Sequence, residues 1–505
     1  LVPERALGTP AQAEASAVME LAERFSFFSF CKDPGRFFTQ RYGDLREGKA
    51  ISFEAIARSV HDESEDLDAA RKVFSMVPLR WTWAYNLTRG QEVLIPFNWF
   101  FAINEFNGPS AGNCREEAIL QGICEVVERH VSSIVSRQRL STPSIELSTV
   151  NDPLVKDLIG KYNRLKIRLF VTDFTLETGI PSVGVLAYDP STFPDKSEII
   201  WTAGTTPNPE KSLSRALTEV AQLAGDFSTS SNYVASGLPK FRSLEEAGFV
   251  MGRDRVISIA ELPNLSHENM KIEIERCISA LSMTGMDVML VDVTHPKLAV
   301  PAFYTIIPGA HFRERAIGTS VGMFSAKLIA EEMEPALALE MLIESDRLLP
   351  DKYYNKFYQG VALLNLGEPS QALAMLDEAL SLEPKMEDMA SIYSYRAHAL
   401  KDMGEFRSAL EVLESAERLD DERTDVYNLM GFCHYKMKEH ERAIECFRKV
   451  LRLNPSSAID YANIASNYRD MGDMEQAINY YRFALELDPS IDFARENLER
   501  LEQGR

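Results

Sequence analysis

Glu117, Glu125, Glu128 and Arg129 lie in one stretch that also carries Ile119, Ile123, Val127, Val131 and Ile134 at helical spacing. On a helix the three carboxylates fall within an arc of roughly 80°. A helix fit for burial must supply partners for such charges, because a buried unpaired carboxylate is strongly disfavoured. The partner this chemistry suits is Mg2+ with a nucleotide polyphosphate: carboxylate oxygens are hard ligands, and a guanidinium fork matches phosphate oxygens. The stretch Asn107-Gly108-Pro109-Ser110-Ala111-Gly112-Asn113 leads into this helix as a glycine-bearing loop. Asn113 is the expected N-cap, with Glu116 three residues on as in a capping box.

Two more helices carry the same pattern. Glu20-x-x-Glu23-Arg24 matches Glu125-x-x-Glu128-Arg129, and Arg215 precedes Glu219-x-x-Gln222, where Gln replaces the second Glu. One such pair alone reads as a solvated helix face. Three of them beside apolar faces point to a shared site. Its acidic members contain no His or Cys, which suits Mg2+. The phosphate-loop pattern ending in Gly-Lys-Ser/Thr does not occur, so a nucleotide site here would be built from acidic helices. His130 reads as structural, and Cys114 and Cys124 as small buried residues. No catalytic nucleophile is named by the sequence.

The elements that must position these residues alternate in type. Thr9-Pro10-Ala11-Gln12 starts the first helix, with Thr9 as cap and Pro10 at the first helical position. Phe25, Phe27, Phe28 and Phe30 follow as core or interface aromatics. Val93–Phe97 and Trp99–Phe101 read as a buried strand region. Ile167–Thr172, Val183–Tyr188, Ile199–Thr202, Val288–Thr294 and Ala302–Ile307 read as further strands. Strands and helices mixed in this way predict an α+β domain over residues 1–330.

From 331 onward the pattern is wholly helical. Gly360, Gly367, Ala372, Ala379 and Pro384 mark one unit, and Ala397, Gly404, Ala409 and Ala416 the next. Gly431, Ala443 and Pro455 follow, then Ala465, Gly472, Ala477, Ala484 and Pro489. Small residues where paired helices touch, at a repeat of about 34, are the signature of tetratricopeptide (TPR) repeats. Residues 331–505 therefore predict an all-α TPR solenoid of about four repeats with a C-terminal cap helix. Its groove would take a peptide or protein partner. The array could instead pack on its own N-terminal domain or form a homodimer.

The charge balance narrows the partners. Of the net −21, most lies in residues 331–505, which hold 35 acidic and 20 basic side chains. This argues against nucleic acid, whose phosphates need basic stripes. Six cysteines form no metal-binding spacing, and no apolar run is long enough to span a membrane. The expectation is a soluble cytoplasmic protein. The sequence begins at Leu1 rather than Met, so its natural start is expected upstream.

The motifs resemble those of the YcaO family. Asn107-Gly108-x-Ser110-Ala111-Gly112-Asn113…Glu117-Ala118…Glu125-x-x-Glu128-Arg129 is similar to the family's central motif. Ser16-Ala17-x-x-Glu20-x-x-Glu23-Arg24 is similar to its first, and Arg215-Ala216-Leu217-Thr218-Glu219-x-x-Gln222 to its third. Asp292-Val293-Thr294-x-Pro296, with Pro301 and Pro308-Gly309, resembles a later segment. The resemblance covers about residues 1–330, and TPR repeats after such a domain are a family arrangement. It implies an ATP- and Mg2+-dependent enzyme that activates backbone amides of a peptide or protein. A nucleophile adds to the amide carbonyl, the oxyanion is phosphorylated, and phosphate leaves. The product is an azoline, a thioamide or an amidine according to the nucleophile. By the resemblance Ser16, Ser110, Asn113, Glu117, Arg129 and Arg215 surround ATP. Glu20, Glu23, Glu125, Glu128 and Glu219 are metal ligands or close to them. Azoline-forming members commonly end in a Pro-rich tail, whereas this sequence ends Leu501-Glu502-Gln503-Gly504-Arg505, which turns the expectation away from azolines. Arg5-Ala6-Leu7-Gly8 stands where members carry a Lys-containing segment. The alternative is a TPR interaction scaffold whose nucleotide-binding domain is not catalytic.

Overall fold

The computed structural model describes residues 10–45, 48–62, 66–104, 106–195, 197–223, 241–252, 255–312 and 319–503. The expected Thr9 cap and the Arg5–Gly8 segment lie outside these residues. The chain divides into two compact units, Leu1–Leu67 with Phe74–Val321, and Asp68–Val73 with Gly322–Arg505.

The first unit is α+β. The chain up to residue 138 runs α1 (Pro10–Lys32), β1 (Phe38–Arg41), α2 (Phe53–Ser59), α3 (Leu67–Met76, whose residues Asp68–Val73 belong to the second unit), β2 (Pro78–Asn86), β3 (Gln91–Pro96), α4 (Phe97–Asn104), β4 (Pro109–Ala111) and α5 (Arg115–Gln138). Then come β5 (Ser144–Glu146), α6 (Pro153–Arg164), β6 (Arg168–Asp173), β7 (Ser182–Tyr188), β8 (Ile200–Thr205) and α7 (Pro209–Gln222). β9 (Val256–Ser258), α8 (Met270–Met283), β10 (Met289–Asp292) and β11 (Ala302–Ile306) complete it.

Two sheets result. The first runs β1-β2-β10-β11-β4 with β3 also on β2, all antiparallel. The second runs β8-β7-β6-β5-β9, antiparallel except for the β5–β9 pair. β7 and β8 are buried along almost their whole length, as expected for strands covered on both faces. α6 and α7 supply one cover, through Val155, Leu158, Leu213 and Leu217 against Val183, Val185 and Ile200. α5 packs on β4 and β11 of the first sheet and on β7 and β8 of the second, so it joins the two. α1 rests on β4 and β11 as well.

One expected strand is a helix. Trp99–Phe101 belongs to α4, whose residues Phe97, Trp99, Phe100 and Ile103 are buried. A short apolar run has the same composition in a buried strand and a buried helix, so its period does not separate them. Phe27, Phe97, Phe101 and Tyr304 make one aromatic cluster with ring centroids 5.1–6.4 Å apart.

The second unit is helical throughout its described residues. α9 (Val321–Glu332) and α10 (Pro335–Leu348) precede four helix pairs. These are α11 (Tyr353–Asn365) with α12 (Pro369–Ser381), α13 (Met386–Asp402) with α14 (Phe406–Leu419), α15 (Thr424–Lys436) with α16 (His440–Leu453), and α17 (Ala458–Met471) with α18 (Met474–Leu487). α19 (Asp492–Gln503) follows. Ala372, Ala379, Ala409, Ala416, Ala443, Ala465, Ala477 and Ala484 are fully buried. Small side chains at these points let paired helices approach closely, which is the physical content of the repeat. Among the described residues no helix is long and apolar enough to cross a membrane.

Candidate functional site

The site is built where α5 meets the ends of both sheets. Its N-terminus departs from expectation. Cys114, not Asn113, is the N-cap, its sulfur accepting from Glu117 N–H at 3.5 Å. The helix begins one residue later than expected, so Asn113 becomes a donor: its N–H and Nδ2 reach Glu117 Oε2 at 2.8 and 2.9 Å. The Pro109–Ala111 part of the expected loop is strand β4, paired with β11. That pairing turns Ser110 inward, fully buried, with its hydroxyl donating to Ala118 C=O at 2.8 Å. Gly122 on α5 makes room for it, since a Cβ there would stand 2.6 Å from Ser110 Oγ.

Further along α5 the charges converge. Glu128 is 1% exposed. One of its oxygens accepts Thr205 N–H at 3.1 Å and lies 3.2 Å from Arg215 Nε. Its other oxygen is 4.0 Å from Arg129 Nη1. Glu125 accepts the Gly108 N–H; burial pushes its carboxyl above the usual range, against the pull of Arg129 and Arg215. Glu128, then Glu219 and Glu125, hold Arg215 protonated against its burial. Burial also works against the Arg129 charge, and Glu128, Glu219 and Glu125 together more than offset it. Glu125, Glu128, Arg129, Arg215 and Glu219 thus form one electrostatic cluster, drawn from α5 and α7.

The α1 residues form a second group. Arg24 lies between Glu20 and Glu23, 3.9 and 3.8 Å away. Ser16 is half-buried two turns earlier. This group shares with α5 the floor of β4 and β11.

Two contributors were missed by sequence reasoning. Thr205, at the end of β8, gives Glu128 its backbone donor. Gly204 lets α7 lie on β8: a Cβ there would stand 2.3 Å from Ser212 C=O, 2.6 Å from Ala216 N and 3.1 Å from Arg215 Cβ. An isolated glycine inside a strand run was the available signal.

The other candidates are structural. Asp292 accepts Thr294 N–H at 3.0 Å and meets Arg115 Nη2 at 3.1 Å. His130 is buried and accepts His311 N–H at 2.9 Å; burial, with His61 nearby, lowers its pKa to about 4. Burial raises the Cys124 thiol well above its ordinary range, which makes it unreactive.

The donor set fits a hard divalent cation and a phosphate chain in its chemistry. It offers carboxylate oxygens and guanidinium groups, and burial leaves the Glu125 carboxyl in want of positive charge. Among the described residues no three His, Cys, Asp or Glu side chains converge on one point. Mg2+ takes one or two carboxylates and completes its shell with phosphate oxygens and water, so such convergence is not required.

Residues 7–311 match a family model described as YcaO cyclodehydratase, ATP- and Mg2+-binding. Residues 424–457 and 461–491 each match a tetratricopeptide repeat. An uncharacterised protein of Methanothermobacter thermautotrophicus is 29% identical over 322 residues, 60% of this chain and 79% of its own. The Escherichia coli protein named ribosomal protein S12 methylthiotransferase accessory factor YcaO is 30% identical over 136 residues, 27% of this chain and 22% of its own. A solved structure described as a heterocyclase in complex with substrate and cofactor has a similar fold, with TM-score 0.51 and 21% identity. That likeness covers 61% of this chain and 44% of the other, so this chain spans less than half of it.

Proposed function

Because the chain belongs to the YcaO family, we propose that it is an ATP- and Mg2+-dependent enzyme that activates backbone amides of a peptide or protein. The reaction is O-phosphorylation of the amide, leading to a modification such as a thioamide or an azoline, or to support of ribosomal-protein modification. The TPR repeats recruit the substrate or a partner protein.

The observation that carries this reading is the buried Glu128, clamped by Arg215 at 3.2 Å and the Thr205 N–H at 3.1 Å. An ion pair held this deep contributes little to stability by itself, because the desolvation of both charges offsets their attraction. We assign Glu20, Glu23, Glu125, Glu128 and Glu219 to Mg2+, and Ser16, Ser110, Asn113, Glu117, Arg129 and Arg215 to the nucleotide. When bound, Mg2+ and ATP supply the phosphoryl group and neutralise its charge during transfer. Arg129 and Arg215 stay charged under their carboxylate neighbours and so serve as fixed cations for phosphate oxygens. Glu117 holds Asn113 through two hydrogen bonds and so fixes the backbone where the nucleotide would meet the start of α5.

Equilibrium ATP binding, measured with and without Mg2+, tests the site. Glu125→Gln and Glu128→Gln should abolish the Mg2+-dependent part of binding and ATP turnover; unchanged binding and turnover would sink the assignment. Mass spectrometry of proteins from cells with and without this gene tests the reaction. A protein that gains the oxygen-to-sulfur difference, or loses one water, names the class. ATP binding without turnover or any mass change would favour a scaffold with a nucleotide-binding domain.

A further inference from the structure

In the second unit, α15, α16, α17 and the cap helix α19 line a cavity of about 290 Å³. Its apolar lining is aromatic: Phe432 and Tyr435 from α15, Phe447 from α16 and Phe493 from α19. Phe447 is buried, whereas Phe432 and Phe493 are 36 and 37% exposed. A single open ring needs no explanation. Two that line one cavity leave room for an apolar guest between them.

We propose that this cavity binds an aromatic side chain of a polypeptide, with the Asn463 carboxamide pairing to the peptide unit beside it. The inference rests on the reading that the repeats recruit a polypeptide, and it names what they recognise. Three observations choose an uncharged ring. The first is charge. Arg469 is the charged residue of the lining, and its guanidinium is committed. Nε and Nη2 lie 2.7 and 2.6 Å from Asp470 Oδ1, and Nη1 donates to Asn497 Oδ1 at 2.7 Å. Asp470 also accepts from the Tyr435 hydroxyl at 2.8 Å. Neither charge is left for a carboxylate or an ammonium brought into the cavity, and an unpaired charge there is disfavoured. Lys401 and Lys436 stand over the Phe432 ring, 5.5 and 5.2 Å from its centroid. Lys401 is paired with Asp402 at 2.8 Å, and Lys436 is exposed, so its charge stays in water.

The second is hydrogen bonding. Asn467 Oδ1 meets His440 Nδ1 at 3.0 Å, and its Nδ2 donates to Asn463 C=O at 2.9 Å. Ser466 donates to Ala462 C=O at 3.0 Å and meets the Tyr481 hydroxyl at 2.8 Å. Asn497 Nδ2 donates to Phe493 C=O at 2.7 Å. Asn463 differs: its Nδ2 makes one long bond, 3.3 Å to Asp460 Oδ1, and its Oδ1 accepts none among the described residues. One carboxamide with an open acceptor and a spare N–H matches one peptide unit. The third is size. A cavity of about 150 Å³ holds a benzene ring, so this one takes a phenyl, phenol or indole group with part of the backbone that carries it. An aliphatic side chain would fill less of it and forgo the ring-on-ring contacts, which contribute beyond the area buried.

Random peptides displayed on phage and selected on the full chain test this. The selected peptides should share a Phe, Tyr or Trp. A fluorescein-labelled synthetic copy of the strongest should bind about tenfold more weakly to the variant with Phe432→Ala and Phe493→Ala. It should bind about fivefold more weakly to Asn463→Ala, which keeps both rings. Fluorescence anisotropy reads the affinities, and circular dichroism the fold. Exchanges made in the peptide cover a protein variant that fails to fold. Leu in place of its aromatic residue should weaken binding, and Glu or Lys there should abolish it. Peptides selected without an aromatic residue, or whose binding is indifferent to Phe432, Phe493 and Asn463, would overturn this proposal and leave recruitment by the repeats standing. If the selection yields no peptide, both fail.

Discussion

Glu128 and Arg215 show how far a single pair constrains the first unit. Glu128 is buried and Arg215 about a third exposed, so the carboxylate suffers more when the pair is broken. Arg215→Ala should destabilise the unit by about 3 kcal/mol, because it leaves a buried charge without its closest partner. Adding Glu128→Gln to it should restore most of that loss, and urea unfolding midpoints of the single and double variants check the pair. At the start of α5, Cys114→Ser replaces a weak sulfur acceptor by a good capping hydroxyl. It should raise stability by about 0.5 kcal/mol, read as a small rise in Tm. His311 gives a pH dependence. It stacks on His61 with centroids 3.6 Å apart, and burial, with His61, His130 and Arg137 beside it, lowers its pKa to about 3. The unfolded chain, with an ordinary histidine near 6.5, therefore takes up the proton first. Stability from this group is intact above pH 6.5 and falls as pH drops toward about 3. His311→Asn should flatten that part of the pH–stability curve, and a curve of unchanged slope would contradict it.

At the scale of elements, close approach decides what the site can hold. α7 brings Arg215 to Glu128 only because Gly204 lets its backbone touch β8. Gly204→Ala would force α7 outward, with a loss of about 2 kcal/mol and weaker ATP binding, measured together by thermal unfolding and calorimetry. In the repeats, Gly367, Gly404 and Gly472 take positive φ after α11, α13 and α17, whereas Lys438 stands at φ 62 after α15. Lys438→Gly should stabilise the second unit by about 1 kcal/mol, seen as a higher helical melting temperature. The three acidic helices were legible in sequence because carboxylates at i and i+3 share a helix face whatever the helix packs against. Cys114 as cap and Trp99–Phe101 as helix were not. The first depends on where β4 ends its pairing, and the second on what covers α4.

For the whole molecule, two compact units predict two unfolding transitions. Mg2+ with ATP at about 100 times Kd should stabilise only the first unit, by about 2.7 kcal/mol. Differential scanning calorimetry separates the transitions, and a shift confined to the helical unit would place the nucleotide elsewhere. The acidity of residues 331–505 disfavours nucleic acid at that unit, and the repeats fit a protein ligand.

Periodicity and motif order determined, from sequence alone, an α+β unit of this family followed by TPR repeats, and three helices that carry paired acidic or amide side chains. These are local signals, carried by spacing within single helices and by small residues recurring at about 34. Only the tertiary structure decided that α5 joins two sheets, that Thr205 and Gly204 seat Glu128 and Arg215, and that Phe27 is core while Phe25 and Phe28 face outward. All three phenylalanines have the same sequence character. Which of them meets the sheet is set by the rotation of α1 on β4 and β11, a long-range contact that no local pattern encodes.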